Sequence, residues 1–167
     1  MTQEIIIRTA GFEDAATIFS LIQNAAACLV PRSMGDLIQN IDRCLVAQRH
    51  EQVIGTVSWQ ILPEIGRCTN PAVEIKSLVV RDAERGAGVG QQLVKSAVKR
   101  ISLFRPREII VLTFTPDFFA RLGFTLTSKE RLMHKLYTGC MNCTRYDSPF
   151  TCPEVAMSLS MEPDESE

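Results

Sequence analysis

The sequence predicts an α/β (α+β) fold in which a sheet of about seven strands is flanked by helices. Two observations carry that prediction. Apolar residues recur every second position in several short β-branched runs and every third or fourth in longer ones. The second is a glycine-rich strand–turn–helix between Glu74 and Leu93.

Taken in order, Ile5-Ile6-Ile7-Arg8 is a β-branched run and reads as the first strand. Asp14 to Ala27 reads as a helix with Ala15, Ile18, Phe19 and Ile22 on one face. Pro31 breaks the chain, and Ser33 can cap a second helix carrying Leu37, Ile38 and Ile41. Leu45 to Gln48 is the second strand, a polar turn from Arg49 to Gln52 follows, and the third strand runs from Val53 to about Leu62. Pro63 to Pro71 reads as a turn region and Ala72 to Val80 as the fourth strand. After the glycines, Leu93, Val94, Ala97, Val98 and Ile101 mark a helix from about Val89 to Ser102. Glu108 to Phe114 is a continuous apolar run of the kind found in buried strands. Pro116 starts a short helix through Leu122 that Gly123 stops. Phe124–Thr127 and Val155–Ser160 supply the last two strands. Residues 1–160 are expected to form one domain, with 128–153 a cysteine-containing insertion before the last strand and 161–167 a disordered acidic tail.

Composition narrows the function classes. The chain has 167 residues, is 46% hydrophobic and carries a formal net charge of −1. That balance gives no reason to invoke nucleic acid. No window reaches the roughly 18 apolar residues that span a membrane, and the N-terminus shows no secretory pattern. The six cysteines are then expected as reduced thiols of a cytoplasmic protein. Charge is nevertheless uneven. Arg81, Arg85, Lys95, Lys99, Arg100, Arg105 and Arg107 gather around the glycine turn and its helix, a rim suited to an anion or to a solvated helix face.

The turn itself points to a pyrophosphate. Gly86, Gly88 and Gly90 let backbone N–H groups approach a bulky anion, and the following helix adds its unpaired N–H groups and positive dipole end. No Gly-Lys-Ser/Thr follows, so it is not a Walker loop. Spacing of two, with Ile109, Ile110 and Val111 where an acid would be needed, does not fit a dinucleotide fingerprint. What remains is Arg85-x-x-Gly88-x-Gly90 after Leu78-Val79-Val80. It resembles the acetyl-CoA loop of the GCN5-related N-acetyltransferases, whose pattern is Gln/Arg-x-x-Gly-x-Gly/Ala. The predicted element order is also that family's.

Further segments resemble the short bacterial N-acetylglutamate synthases. They are Leu29–Ser33, Asp42–Ala47, Glu74–Val80, Leu112–Phe119, His134-Lys135 and Cys140-x-x-Cys143 followed by Cys152–Met157. The resemblance implies a mixed, mostly antiparallel sheet with acetyl-CoA as cosubstrate in the splay between strands four and five. It also implies direct acetylation of the α-amine of L-glutamate, the entry step of arginine biosynthesis. The alternatives are another small amine, a protein lysine or N-terminus, or a non-catalytic acetyl-CoA sensor. Homodimers are common in that superfamily.

The resemblance assigns roles residue by residue. Glu74 matches the strand-four base of the histone-acetylating branch, the alternative being a solvated pair with Lys76. N–H groups around Leu78, Val79 and Val80 would face the thioester oxygen, exposed by a bulge. Arg85, Gly86, Ala87, Gly88, Val89, Gly90 and Gln91 would hold the pyrophosphate. Phe119, in Phe118-Phe119-Ala-Arg-Leu-Gly-Phe124, stands where many relatives have a tyrosine that protonates the leaving sulfur; phenylalanine cannot. Tyr137 or a water could replace it, or the thiol could leave as thiolate. For the two substrate carboxylates, arginine offers a planar fork. Arg32 leads, with Lys76 and Lys135 behind it. No catalytic metal is expected. Cys140, Cys143 and Cys152, completed by His134 or Cys68, could form a structural zinc knuckle; reduced packing cysteines are the alternative. Cys28 and Cys44 read as core residues.

Overall fold

A computed structural model describes residues 4–64, 67–132, 143, 145–148 and 150–161, without the side chains of 63, 64 and 67–69. Seven strands form one sheet in the order β1-β2-β3-β4-β5-β7-β6. They are β1 Ile6–Thr9, β2 Cys44–Arg49, β3 Gln52–Glu64, β4 Arg67–Val80, β5 Glu108–Thr113, β6 Thr125–Leu126 and β7 Val155–Ser160. Four α-helices accompany them: α1 Ala15–Asn24, α2 Met34–Gln39, α3 Val89–Ser102 and α4 Pro116–Ala120. The β1–β2, β2–β3, β5–β7 and β6–β7 pairs are antiparallel, and β4–β5 is parallel with Val73 opposite Ile109 and Glu74 opposite Ile110. The element order and the mixed sheet are those predicted.

Contacts divide the chain into two units, and the division falls within β3, β4 and α3. One takes residues up to Trp59 together with Ile75–Lys99; the other takes Gln60–Glu74 and the chain from Arg100 onward. In the first unit, Ile18, Leu21 and Ile22 of α1 and Leu37 of α2 bury against Cys44, Val46, Val53 and Val79 of the strands. In the second, Leu62, Ile110, Leu132 and Ala156 form the core. The predicted apolar faces are buried in the main, but Ile38 is exposed and Ile41 lies in a 3-10 turn beyond α2, because that helix already ends at Gln39. Burial at about 25 cal/mol per Å² of apolar area is what holds such short helices in place, since helices this brief are unstable alone.

Local chemistry accounts for the ends of the helices. The Asp36 N–H donates to Ser33 Oγ at 3.1 Å, so Ser33 caps α2 as predicted. After α4, Gly123 at φ +92° turns the chain, with Gly123 N–H bonded to Ala120 O at 3.1 Å and Phe124 N–H to Phe119 O at 3.2 Å.

Two expectations are corrected. The stretch between Pro63 and Pro71, predicted as a turn, belongs largely to β3 and β4, which extend to Glu64 and from Arg67. Proline reads as a breaker because it lacks an N–H, but its φ suits an extended chain. Pro71 still offers its carbonyl, which accepts from the Arg107 N–H at 3.3 Å. The first helix ends at Asn24, not Ala27, and the chain leaves it in successive turns. Cys28 thereby falls off the apolar face and is exposed, whereas Cys44 is buried as expected.

One ion pair ties β1 to the start of α1. Arg8 Nη1 and Nη2 donate to the Asp14 carboxylate at 2.7 and 2.9 Å, Arg8 Nε donates to Gln48 Oε1, and the Gly11 N–H donates to Asp14 Oδ2. Arg8's hydrogen bonds hold the Asp14 carboxyl below the usual range, against the opposing effect of burial and with help from Gly11. A depressed carboxylate contributes stability that is present above its unfolded value near 3.9 and lost as pH falls through the lower folded value. We expect Asp14→Ala to cost about 2 kcal/mol near pH 7, less than a fully buried pair because Arg8 is partly solvated. Denaturant titrations at pH 7 and below pH 3 should show the difference shrinking at the acid end.

Candidate active site

The chain from the end of β4 to the start of α3 builds a backbone cradle. A 3-10 turn, Asp82–Glu84, follows β4, and residues 85–88 turn into the helix. Gly86 and Gly88 have φ of +82° and +77°, in the left-handed region that only glycine enters without strain. A Cβ at either would meet no atom within 4 Å. The glycines are thus required by conformation rather than by packing, and the space before them is open. In α3, Gln92 N–H bonds back to Gly88 O at 3.1 Å. The N–H groups of Val89, Gly90 and Gln91 are left as the helix's terminal donors. Open backbone donors at a helix start suit an anion.

The loop is braced on its own unit. Arg49 of β2 forms an ion pair with Glu84, and Arg81 N–H donates to Ile54 O at 2.8 Å. Val89 is buried and anchors the first turn of α3. Gly55, inside β3, lets these pieces close up: a Cβ there would lie 3.0 Å from Val79 O and 3.2 Å from Leu93 Cδ1. Arg85 is exposed, paired only at the surface with Asp82 at 3.0 Å. Such a pair contributes little stability and leaves the guanidinium free to turn to an anion.

Beside the loop lies a cleft of about 330 Å³. Val79, Val80, Arg81 and Arg85 form one wall, and Thr17, Ser20 and Asn24 of α1 form the other. The sequence reading missed that second wall. Its signal is the polar set at steps of three and four opposite the buried face of α1.

Of the other expected residues, Glu74 is only 4% exposed, which rules out a solvated pair at a sheet edge. Three positions on, Ser77 takes φ +54°, a left-handed residue inside a strand. Phe119 is 3% exposed and packs edge-on against Phe118 and Phe124, with ring centroids 5.0 and 5.4 Å away. It brings no ionisable group.

Arg32 is held firmly. Its side chain is 7% exposed, Nε donates to Asp36 Oδ2 at 2.5 Å, and Nη1 donates to Ser58 Oγ at 2.9 Å. Lys76 is half-buried on β4. Lys135, His134, Tyr137 and Cys140 lie outside the described residues, as does the side chain of Cys68. Cys143 and Cys152 are free thiols. Burial pushes the Cys152 thiol up, and no metal-ligating cluster occurs among the described residues. No helix among them is long and apolar enough to cross a membrane.

Comparison with known proteins shows the family. The family model described as an acetyltransferase (GNAT) domain matches residues 40–126. An uncharacterized N-acetyltransferase of Chlorobaculum tepidum is 31% identical over 153 residues, covering 90% of this chain and 93% of the relative. The chain belongs to the GNAT acetyltransferase family. An amino-acid acetyltransferase of Mycobacterium tuberculosis is 26% identical over 125 residues, covering 72% of the GNAT chain described here and 68% of that protein. Among solved structures, N-acetylglutamate synthase from Neisseria gonorrhoeae, complexed with coenzyme A and N-acetyl-glutamate, superposes with a TM-score of 0.76 at 17% identity. The match covers 98% of this chain and 36% of that one. At that identity the likeness shows the GNAT fold.

Proposed function

We propose that this N-acetyltransferase acetylates the α-amine of L-glutamate, as an N-acetylglutamate synthase of arginine biosynthesis. Arg32 is the observation that carries the acceptor: a buried guanidinium, fixed on two sides and suited to a carboxylate. The amino-acid acetyltransferase of M. tuberculosis and the N-acetylglutamate synthase of N. gonorrhoeae support this reading.

Acetyl-CoA is the acetyl donor. Its pyrophosphate rests on Arg85, Gly86, Ala87, Gly88, Val89, Gly90 and Gln91. The amine must be neutral to attack, and Glu74 takes its proton. As the amine bonds to the thioester carbon, negative charge gathers on the oxygen, facing N–H groups of Leu78, Val79 and Val80. The C–S bond then breaks. The sulfur leaves as thiolate, since a thiol pKa near 8.5 makes protonation by a side chain dispensable. Arg32, Lys76 and Lys135 hold the two acceptor carboxylates.

The test is CoA release from acetyl-CoA with L-glutamate, L-glutamine, L-aspartate and a lysine peptide. Turnover with glutamate far above the rest is expected; equal or greater turnover with the peptide would refute the assignment. Arg32→Ala should raise the KM for glutamate about tenfold or more, with the KM for acetyl-CoA little changed, as expected for loss of a charge-assisted bond. Equal rises in both constants would remove Arg32 from the acceptor site.

A further inference from the structure

We infer that Ser58 and Asp36 are positioning residues that pre-set the Arg32 guanidinium to receive an acceptor carboxylate. The inference rests on the reading of Arg32 as the acceptor clamp.

A guanidinium has five N–H groups. Asp36 Oδ2 takes the one on Nε and Ser58 Oγ takes one on Nη1. The second N–H of Nη1 and both of Nη2 make no hydrogen bond to an oxygen among the described residues. The used donors hold the guanidinium plane in one orientation, and Nη2, whose two N–H groups meet no oxygen among the described residues, lies on the Nη1/Nη2 edge. That edge is the one a carboxylate grips with two parallel bonds. An arginine side chain loses rotamer entropy when fixed. Fixing it beforehand removes that loss from acceptor binding.

Both holders are themselves held. Ser58 is 3% exposed, and its hydroxyl donates to Lys76 O at 3.2 Å, which ties it to the peptide next to the left-handed Ser77. Donating there leaves its oxygen lone pairs for Arg32, so the hydroxyl has a fixed polarity. Asp36 Oδ1 accepts from Asn40 Nδ2 at 3.1 Å, and its N–H is bound by Ser33 Oγ. The charge balance also fits. Asp36 alone neutralises Arg32, and its side chain is 42% exposed, so water weakens its hold and leaves attraction for a second carboxylate. The Cys44 thiol, pushed up by burial although Arg32 pulls the other way, stays neutral beside the guanidinium and does not compete as an anion.

The experiment is steady-state kinetics of the full chain with L-glutamate and with L-glutamine, for the parent and for Ser58→Ala, Asp36→Ala and Asp36→Asn. Ser58→Ala and Asp36→Ala should each raise the KM for glutamate about fivefold. Their kcat and their KM for acetyl-CoA should stay within about twofold of the parent, and the preference for glutamate over glutamine should fall in step. Asp36→Asn keeps an oxygen for Nε and should recover most of the loss. Parental glutamate KM in both alanine variants, while Arg32→Ala raises it, overturns the inference and leaves the clamp standing. A parental KM in Arg32→Ala as well overturns both. If Ser58→Ala does not fold, Asp36→Ala carries the same test from a more exposed position. A lowered melting temperature with unchanged KM values would mean that the two residues only join α2 to the strands.

Discussion

Glu74→Gln is expected to lower kcat with L-glutamate at pH 7 by about 10²- to 10⁴-fold, the range that a positioned general base contributes. Glutamine has nearly the same shape and fills the same site, but it cannot take a proton. Because Glu74 is 4% exposed and sits opposite Ile110 in the β4–β5 pairing, the isosteric change should leave the strand packing intact. The KM for acetyl-CoA should therefore hold within about twofold. The pH profile separates a base from a structural carboxylate. As pH rises, a growing fraction of the acceptor amine is already neutral, and the gap between variant and parent should close. A parental kcat across the whole pH range would end Glu74's candidacy. So would a loss that follows a fall in melting temperature instead of pH.

The fold was legible because two different signals agreed on it. The β-branched run Ile5–Arg8 marked a strand and the period-three-to-four run Leu93–Ile101 a helix, and in the helix burial follows the stripe at Leu93, Val94, Ala97 and Ile101. Where local chemistry sets an end, the sequence was also sufficient: Ser33 as a cap and Gly123 as a stop work through neighbours a few residues away. The misreadings arose where tertiary partners decide. Pro63 and Pro71 look like breakers until a sheet supplies neighbours that do not need their missing N–H. The placement of β7 between β5 and β6 has no local signal at all, because strand order depends on non-local pairing.

The candidate site divides along the same line. The turn at Arg85–Gln91 was legible because its glycines stand in one contiguous stretch, and two of them, Gly86 and Gly88, take the left-handed φ that glycine permits. Arg32 could be named as a clamp from its type, yet its fixed geometry depends on Ser58, twenty-six residues away in sequence. Arg49 reaches Glu84 across thirty-five residues, and Thr17, Ser20 and Asn24 face Arg81 and Arg85 only once the chain has folded. The spacing of Thr17, Ser20 and Asn24 marks one polar helix face, but which distant residues any of these side chains meets has no signal in the sequence.

Gly88→Val should weaken acetyl-CoA binding about a hundredfold, which corresponds to losing two charge-assisted backbone contacts of about 1.5 kcal/mol each. Valine is β-branched and strained at the φ of +77° that Gly88 adopts. The loop must either hold that strain or flatten, and flattening turns its N–H groups away from the pyrophosphate. The variant side chain would itself occupy space that is open now, since no atom lies within 4 Å of a Cβ there. Gly90→Ala is the comparison within the same loop, since alanine keeps the backbone N–H and needs no left-handed φ. Gly90 belongs to α3, outside the left-handed set, and alanine there should improve helix propensity by up to about 1 kcal/mol. Calorimetric titration with CoA, beside thermal melts without it, distinguishes a ligand cradle from a plain turn. A cradle gives a large loss of affinity in Gly88→Val with a modest loss of melting temperature. A plain turn would give the reverse: a lowered melting temperature with CoA affinity unchanged. That outcome would move the phosphate contacts away from these glycines and onto the Arg85 side chain alone.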